Sequence, residues 1–183
     1  SPLGGSMGNY IETQFNFFNA LSKPLRELFI YRKGLNPTWY KKDHYKKIME
    51  NFPEIKLDNE NSSFIDMLKK SRIAIIDSRQ TTYIETLVIN HPVILFWNKD
   101  DWEVRSNAKP YFKQLEYAGI LYYSPFEAAE KLIRVYDDPQ QWWQSKKVQS
   151  ARNNFVERFA NTSKSWKNEW ADIGKKVKQN LFY

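Results

Sequence analysis

The residues best suited to chemistry lie in one polar segment of the chain. It consists of Asp77, Ser78, Arg79, Gln80, Thr81, Thr82 and, one helical turn further on, Glu85. Hydroxyl groups at the start of a helix can bond phosphate oxygens, and the backbone N–H groups and dipole of the helix favour the negative charge. A carboxylate one turn later on the same side can accept hydrogen bonds from a ribose diol or neighbouring sugar hydroxyls. The segment therefore predicts a site for a nucleotide-like anion.

An ordinary helix cap is the alternative, because Thr followed by Glu is common at helix starts. The flanking sequence decides between the two. Ile73–Ile76 is an uninterrupted apolar run, the segment after it has helical spacing up to Asn90, and Val93–Trp97 is a second apolar run. This order is typical of a strand–helix–strand unit in a parallel sheet, with strands buried on both faces. Ligands bind beyond the carboxyl ends of such strands, which favours the ligand hypothesis.

The rest of the chain continues the same alternation. A helix over 10–28, interrupted at Pro24, precedes strands predicted at 28–31, 54–58, 73–76, 93–97 and 120–123, and helices at 38–51, 61–70, 108–118 and 124–135. The alternation predicts a doubly wound, Rossmann-like α/β domain with a parallel sheet over residues 9–138. Residues 139–183 are helical throughout and are expected to pack on this domain or on an amino-terminal half of the protein. Residues 1–8, SPLGGSMG, are expected to be an expression-tag remnant.

Composition limits the function classes. The 183 residues include no cysteine, which excludes disulfides, thiolate metal sites and a cysteine nucleophile. The two histidines have no carboxylates at ligand spacing, so no metal site is predicted. No apolar run approaches the roughly 20 residues that span a bilayer. We expect a cytoplasmic protein, with peripheral attachment to the inner membrane face as an open alternative.

A net charge of +7 indicates anionic partners. Nucleic acid is one of them, because Trp142, Trp143, Trp166 and Trp170 are interspersed with Lys146, Lys147, Arg152 and Arg158. Tryptophans four residues apart on a helix more commonly mean one packed face. Nucleic-acid binding is therefore the less favoured hypothesis, and a noncatalytic interaction domain also stays open.

The run SRIAIIDSRQTTYIETLVINHPVILFW resembles the carboxyl-terminal domain of GT-B glycosyltransferases and of related glycerophosphotransferases. Together with LEYAGILYYSPFEAA, the Trp pair and FVERFANTSKSWKNEW, it is similar to a family of bacterial surface-carbohydrate transferases over roughly residues 25–175. The resemblance implies a fold of two Rossmann-like halves, of which this chain is the second. No glycine-rich phosphate loop is present.

The resemblance also implies roles for particular residues. Donor contacts are expected from Arg32, Asp77, Ser78, Gln80, Thr81, Thr82 and Glu85, and sugar or acceptor contacts from Glu103 and Arg105. For Arg32, a surface cation beside a turn is an equally good interpretation. The expected substrate is a nucleotide-activated sugar, with CMP- and CDP-linked donors among the candidates, and no cofactor is expected. A glycan or lipid-linked acceptor and the amino-terminal half are the expected partners.

Overall fold

The computed structural model describes residues 6–32, 42–58, 61–101, 103–163 and 165–180. The helices are α1 Ser6–Asn19, α2 Lys23–Arg26, α3 Lys42–Asn51, α4 Phe64–Lys70, α5 Thr81–Ile89, α6 Lys109–Tyr117, α7 Pro125–Val135, α8 Pro139–Trp143, α9 Lys146–Phe159 and α10 Trp166–Asn180. The strands are β1 Ile30–Tyr31, β2 Lys56–Leu57, β3 Ala74–Ile76, β4 Val93–Phe96 and β5 Leu121–Tyr122, and a 3₁₀ turn spans Lys99–Asp101.

All strand pairs in these ranges are parallel, as the alternation predicts. β1 pairs with β2, and β3, β4 and β5 form a second sheet in that order. The prediction of one doubly wound sheet is met only in part, because the described strands form two separate sheets. β1 and β2 are only two residues long, so each can form few backbone hydrogen bonds with a neighbouring strand.

The central strand is β4, and all four of its residues are buried. Its side chains alternate between two cores, since successive residues of a strand point to opposite faces. Val93 and Leu95 belong to a core built with α5, α6 and α9, whereas Ile94 and Phe96 belong to one built with α1, α3 and α7. On the second face the rings of Phe17 and Phe96 stack 4.7 Å apart. Helices therefore cover both faces of the sheet.

The prediction that Ile73–Ile76 is buried on both faces is met only in part. Ala74 and Ile76 pack on one core and Ile73 and Ile75 on the other. Ile76 is buried, but Ile73, Ala74 and Ile75 are only half-buried. β3 is the outer strand of its three-stranded sheet, so it has less cover than β4.

The predicted helix break near Pro24 is confirmed, since α1 ends at Asn19 and Pro24 lies in the first turn of α2. Proline suits that position because its missing N–H would have no partner in a first turn. The start of the helix predicted at 38–51, including Pro37, lies outside the described residues; the helix is described from Lys42.

The helices α8 and α9 pack on the sheet domain. Trp143 is completely buried, and its Nε1–H donates to the side-chain oxygen of Asn90 at 2.8 Å and to the Asn90 carbonyl at 3.1 Å. Asn90 ends α5 in the left-handed conformation, with φ of 60°, which asparagine tolerates better than most residues. Phe155 of α9 is buried in the same core. Both helices therefore share the core of the sheet domain.

The last helix is different. Trp166, Trp170, Ile173 and Val177 lie on one side of α10, and each is at least half exposed. Trp166 and Trp170 belong to neither core of this structure, and their packing against another domain stays a prediction. None of the helices in the described part of the chain is long and apolar enough to span a membrane.

These two tryptophan environments give a matched test. Trp143→Phe removes two hydrogen bonds and leaves unfilled core volume, so we expect it to lower the free energy of unfolding by about 1–3 kcal/mol. The same change at Trp170, which is 69% exposed, should cost less than about 0.5 kcal/mol. Urea denaturation of the two variants measures the difference, and equal effects would contradict the packing of α8.

Candidate functional site

Polar side chains follow each strand of the three-stranded sheet. Asp77 comes directly after β3, Asn98 comes two residues after β4, and Ser124 comes two residues after β5. The strands are in parallel register, with Ile76 opposite Leu95 and Phe96 opposite Tyr122. Their carboxyl ends therefore meet at one edge of the sheet, where ligands bind in α/β folds.

A cleft of about 430 Å³ opens at this edge. One wall belongs to α1, and the other belongs to the residues after β4 and β5. The lining residues are Asn9, Glu12, Thr13, Asn16, Asn98, Tyr123, Ser124, Pro125 and Phe126. Its size lies within the usual range for small-molecule sites, roughly 300–1,000 Å³. Three amide side chains supply donors and acceptors, and two aromatic residues supply apolar surface.

The cleft contains the start of α7. Ser124 is the N-cap, and its hydroxyl accepts a hydrogen bond from the Glu127 N–H at 3.4 Å. Pro125 has no N–H and the Ala128 N–H donates to the Ser124 carbonyl, so the Phe126 N–H is the group of this first turn that a ligand could use. The helix dipole is positive at this end. Lys99 adds a cation nearby, with its Nζ 5.3 Å from the ring centroid of Tyr123. This end of the cleft suits an anion.

Asp77 is engaged within the protein. Its Oδ2 accepts a hydrogen bond from the hydroxyl of Tyr10 at 3.2 Å and another from the side-chain amide of Gln14, both on α1. The hydroxyl of Tyr31 on β1 also donates to the side-chain oxygen of Gln14, at 3.5 Å. The space beside Asp77 measures about 10 Å³, which is at most the size of one water site. The carboxylate predicted to contact a donor thus ties α1 to the end of β3.

Burial dominates the electrostatics of this network. It raises the pKa of Asp77, although the hydrogen bonds from Gln14 and Tyr10 act in the opposite direction. Burial also raises the pKa values of Tyr10 and Tyr31 well above the ordinary tyrosine value, and the nearby Asp77 charge adds to the effect. Both hydroxyls therefore stay protonated at neutral pH.

The turn before α5 is placed as predicted, and α5 begins at Thr81. The N-cap is Gln80, whose side chain makes no capping hydrogen bond. Gln80, Thr81 and Glu85 are exposed, and Ser78 and Thr82 are half-buried. The capping box of the alternative interpretation is not formed. These residues do not line the 430 Å³ cleft, so the structure separates them from the cleft around Asn98 and Ser124.

The loop after β4 holds the turn in place. Arg79 donates to the Glu103 carbonyl at 2.8 Å, and its guanidinium lies 5.6 Å from the ring centroid of Phe112. Glu103 and Arg105 are exposed. The carbonyl of Arg105 accepts hydrogen bonds from the Ala108 and Lys109 N–H groups at the start of α6. The sugar or acceptor contacts predicted for Glu103 and Arg105 stay predictions.

Arg32 lies at the end of the smaller sheet. Its guanidinium is 3.1 Å from the carboxylate of Asp58, which follows β2, and it donates to the Ser62 carbonyl at 3.0 Å. Asp58 is largely buried, so Arg32 balances a charge that would be costly to leave unpaired. Lys33 lies outside the described residues. The ion pair gives Arg32 a structural role, and its contact with a donor stays a prediction.

The α1 wall of the site was not predicted from the sequence. Asn9, Glu12, Thr13 and Asn16 line the cleft, but only the apolar side of that helix had been interpreted. Their three- and four-residue spacing opposite the phenylalanines is a signal for a second, polar face. Asn98 was likewise assigned only to a loop. Within the described ranges, no three His, Asp or Glu side chains are grouped as metal ligands would be.

Comparison with family models matches residues 1–173 to the model described as LIC12162 family transferase. The match includes residues 1–8, and α1 begins within that segment at Ser6. Comparison with curated proteins and with solved structures gave no match.

The Asp77 network predicts a pH dependence. Because the folded protein raises the pKa of Asp77 above 3.8, it binds this proton at a higher pH than the unfolded chain does. Protonation of Asp77 therefore raises the free energy of unfolding as the pH falls through that range. At neutral pH Asp77 is ionised, and the fold then carries the full free-energy cost of burying its charge. Asp77→Asn removes this dependence. We expect the stability of the variant relative to wild type to be higher at about pH 7 than at about pH 4.

Urea denaturation at the two pH values measures this difference. Asp100→Asn, the same change at an exposed position, is the control and should behave as wild type at both. If Asp77→Asn were instead more stable relative to wild type at the lower pH, the hydrogen bonds from Gln14 and Tyr10 would outweigh burial in setting the pKa of Asp77.

Proposed function

We propose, on the premise that the chain belongs to the LIC12162 family of transferases, that it binds a nucleotide-activated sugar as the group donor. The observation that carries this proposal is the cleft at the carboxyl ends of parallel strands, which begins at the N-terminus of α7. A transferase of this kind needs a place where the leaving phosphate can be held. The helix end, Ser124 and Lys99 supply that place with dipole, hydroxyl and cation.

The other lining residues, which come from both walls of the cleft, suit the uncharged part of a donor. Asn9, Asn16 and Asn98 carry amides that can both donate to and accept from hydroxyl groups. Tyr123 and Phe126 offer ring faces to a sugar or a base. Glu12 is the acidic residue in this lining and would repel a phosphate placed beside it. The donor phosphate is therefore assigned to the α7 side and the sugar to the α1 side.

The chemical role follows from this orientation. As the bond between sugar and phosphate breaks, negative charge grows on the leaving phosphate. A preorganised helix end and a nearby ammonium group stabilise that charge more than they stabilise the bound ground state.

The turn at residues 78–82 with Glu85 is the second candidate place for phosphate and ribose. The start of α5 is exposed there, and the side chain of its N-cap, Gln80, makes no capping hydrogen bond.

The wider context is part of the same proposal. The resemblance to surface-carbohydrate transferases supports a role in bacterial surface polysaccharide synthesis, with this chain as one half of a GT-B fold. A second domain would supply the acceptor side. The exposed apolar side of α10, with Trp166, Trp170, Ile173 and Val177, is available for such a contact.

Nucleic-acid binding through the paired tryptophans is less favoured. Trp143 is buried, and Trp142 is half-buried with the Lys131 amine 4.3 Å from its ring centroid. Arg152, proposed as a phosphate contact, donates instead to the Leu87 and Val88 carbonyls at the end of α5. These groups hold α9 on the domain.

Nucleotide binding tests the donor site. Thermal unfolding would be followed with CMP, CDP, UDP, GDP and ADP, and we expect one of them to stabilise the chain selectively. A ligand at a hundred times its dissociation constant adds about 2.7 kcal/mol, or roughly 5–10 °C for a domain of this size. Asn9→Asp places a negative charge in the cleft and should weaken binding at least about tenfold.

The matched control is Asn168→Asp, which makes the same change near the start of α10. Both new carboxylates lie close to a helix N-terminus, where they do not destabilise the helix. Glu85→Ala distinguishes the two candidate places. Loss of binding in Glu85→Ala but not in Asn9→Asp would overturn the cleft assignment in favour of the α5 turn, and failure of all five nucleotides to bind would contradict donor binding by this chain.

Catalysis is expected to require the second domain. The purified 183-residue chain should transfer no sugar above background from the nucleotide sugar whose nucleotide it binds. Product analysis with radiolabelled donor measures this, and transfer by the chain alone would refute the need for a second domain.

A further inference from the structure

A basic and aromatic cluster lies near the far end of α7 from the cleft. It consists of Lys131 and Arg134 on α7, Lys147 on α9, Trp142 on α8 and Tyr117 at the end of α6. α7 rises about 1.5 Å per residue, so Lys131 and Arg134 lie about 8 and 12 Å along the helix from Phe126 in the cleft. The cluster is therefore separate from the proposed donor site.

Aromatic rings hold the two lysines in position. The Nζ of Lys131 is 4.3 Å from the ring centroid of Trp142, and that of Lys147 is 3.7 Å from the ring centroid of Tyr117. Cations bind the faces of such rings. The ammonium groups are thus partly ordered before any ligand arrives, which lowers the entropy cost of binding one.

Arg134 and Lys147 lie close enough to Lys131 to act on its charge. Burial, together with the charges of Arg134 and Lys147, lowers the pKa of Lys131 to about 8. Among the described residues, no carboxylate lies within ion-pair distance of any of the three. The three cations therefore make no direct ion pair in the described part of the chain, and the nearest acids along α7 are Glu127 and Glu130, one helical turn before Lys131 and Arg134.

The backbone around the cluster leaves space beside the Lys131 amine and adds to the positive electrostatic potential of the cluster. Gly119 has a φ of 74°, and a Cβ at that position would lie 4.0 Å from the Lys131 amine and 3.0 Å from the Tyr122 hydroxyl. Lys146 and Lys147 also occupy the first turn of α9, whose N-cap Ser145 makes no side-chain capping bond. A helix N-terminus favours negative charge, so two lysines there are unfavourable unless an anion joins them.

We propose that Lys131, Arg134 and Lys147 form a second anion site, which takes a phosphate monoester or diester group. A phosphate has enough oxygens to meet two ammonium groups and a guanidinium at once, and the fork of Arg134 suits two of those oxygens. The site does not rest on the donor assignment. Its phosphate can come from a soluble molecule or from a lipid headgroup, and the two sources are distinguished below.

Binding is tested on the 183-residue chain with two probes. One is inorganic phosphate, titrated by calorimetry, and the other is vesicles of phosphatidylglycerol in phosphatidylcholine, with pure phosphatidylcholine as reference. The double variant K131Q/K147Q should weaken binding of the probe that binds by at least about tenfold. The control K69Q/K175Q removes the same charge from α4 and α10 and should bind as wild type does.

The pH dependence adds a second measurement. Between about pH 8 and about pH 9.5 inorganic phosphate is almost entirely the dianion, whereas Lys131 loses its proton around its pKa of about 8. Burial raises the pKa of Tyr122, whose hydroxyl lies beside Gly119 as the Lys131 amine does, to about 12, so that this hydroxyl stays neutral. Phosphate affinity should therefore fall over this range in wild type.

The outcomes separate the sources and the proposals. Saturable binding of inorganic phosphate identifies a soluble ligand, and binding only to anionic vesicles identifies a headgroup; both support the site. Equal losses in the two double variants, or binding of neither probe, would overturn it. If K131Q/K147Q does not fold, Arg134→Gln at an exposed position carries the test. Phosphate binding that Asn9→Asp weakens and K131Q/K147Q leaves unchanged would belong to the donor cleft and not to the cluster, so the failure of either proposal is seen separately.

Discussion

The structure depends on one constraint, which is that β4 is buried on both faces. Val93 and Leu95 contribute to one core, and Ile94 and Phe96 contribute to the other. A strand covered in this way can be displaced only by disturbing both helical layers. Its carboxyl end, at Asn98, is thus a fixed point. β3 and β5 are in register with it, so the polar residues after all three strands are placed by the same packing.

The α1 helix turns that edge into a site. Its phenylalanines join the core beside β4, while its polar side faces the strand ends. The Asp77 network fixes the helix at β3, and this contact uses a carboxylate at the position where a ligand was predicted. Space for a ligand is left beside β4 and β5 instead.

Charge is distributed unevenly over this framework. Arg32, Arg79 and Arg152 are engaged with a carboxylate or with backbone carbonyls, and they stabilise the fold. Lys131, Arg134 and Lys147 lack such partners among the described residues. The net charge of +7 therefore has two parts, one structural and one available to ligands. Under the two proposals the second part includes Lys99 beside the cleft as well as the cluster at the far end of α7.

The sequence by itself determined the order of helices and parallel strands, the start of α5 at Thr81 and the cap of α7 at Ser124. These features depend on apolar period and on local hydrogen bonds, which are properties of neighbouring residues. Only the tertiary structure decided that Asp77 bonds Tyr10 and Gln14, that Arg32 pairs with Asp58, and that the cleft lies against α1. Those contacts join residues 26 to 67 positions apart, and their partners are set by how the layers pack, which no local pattern encodes.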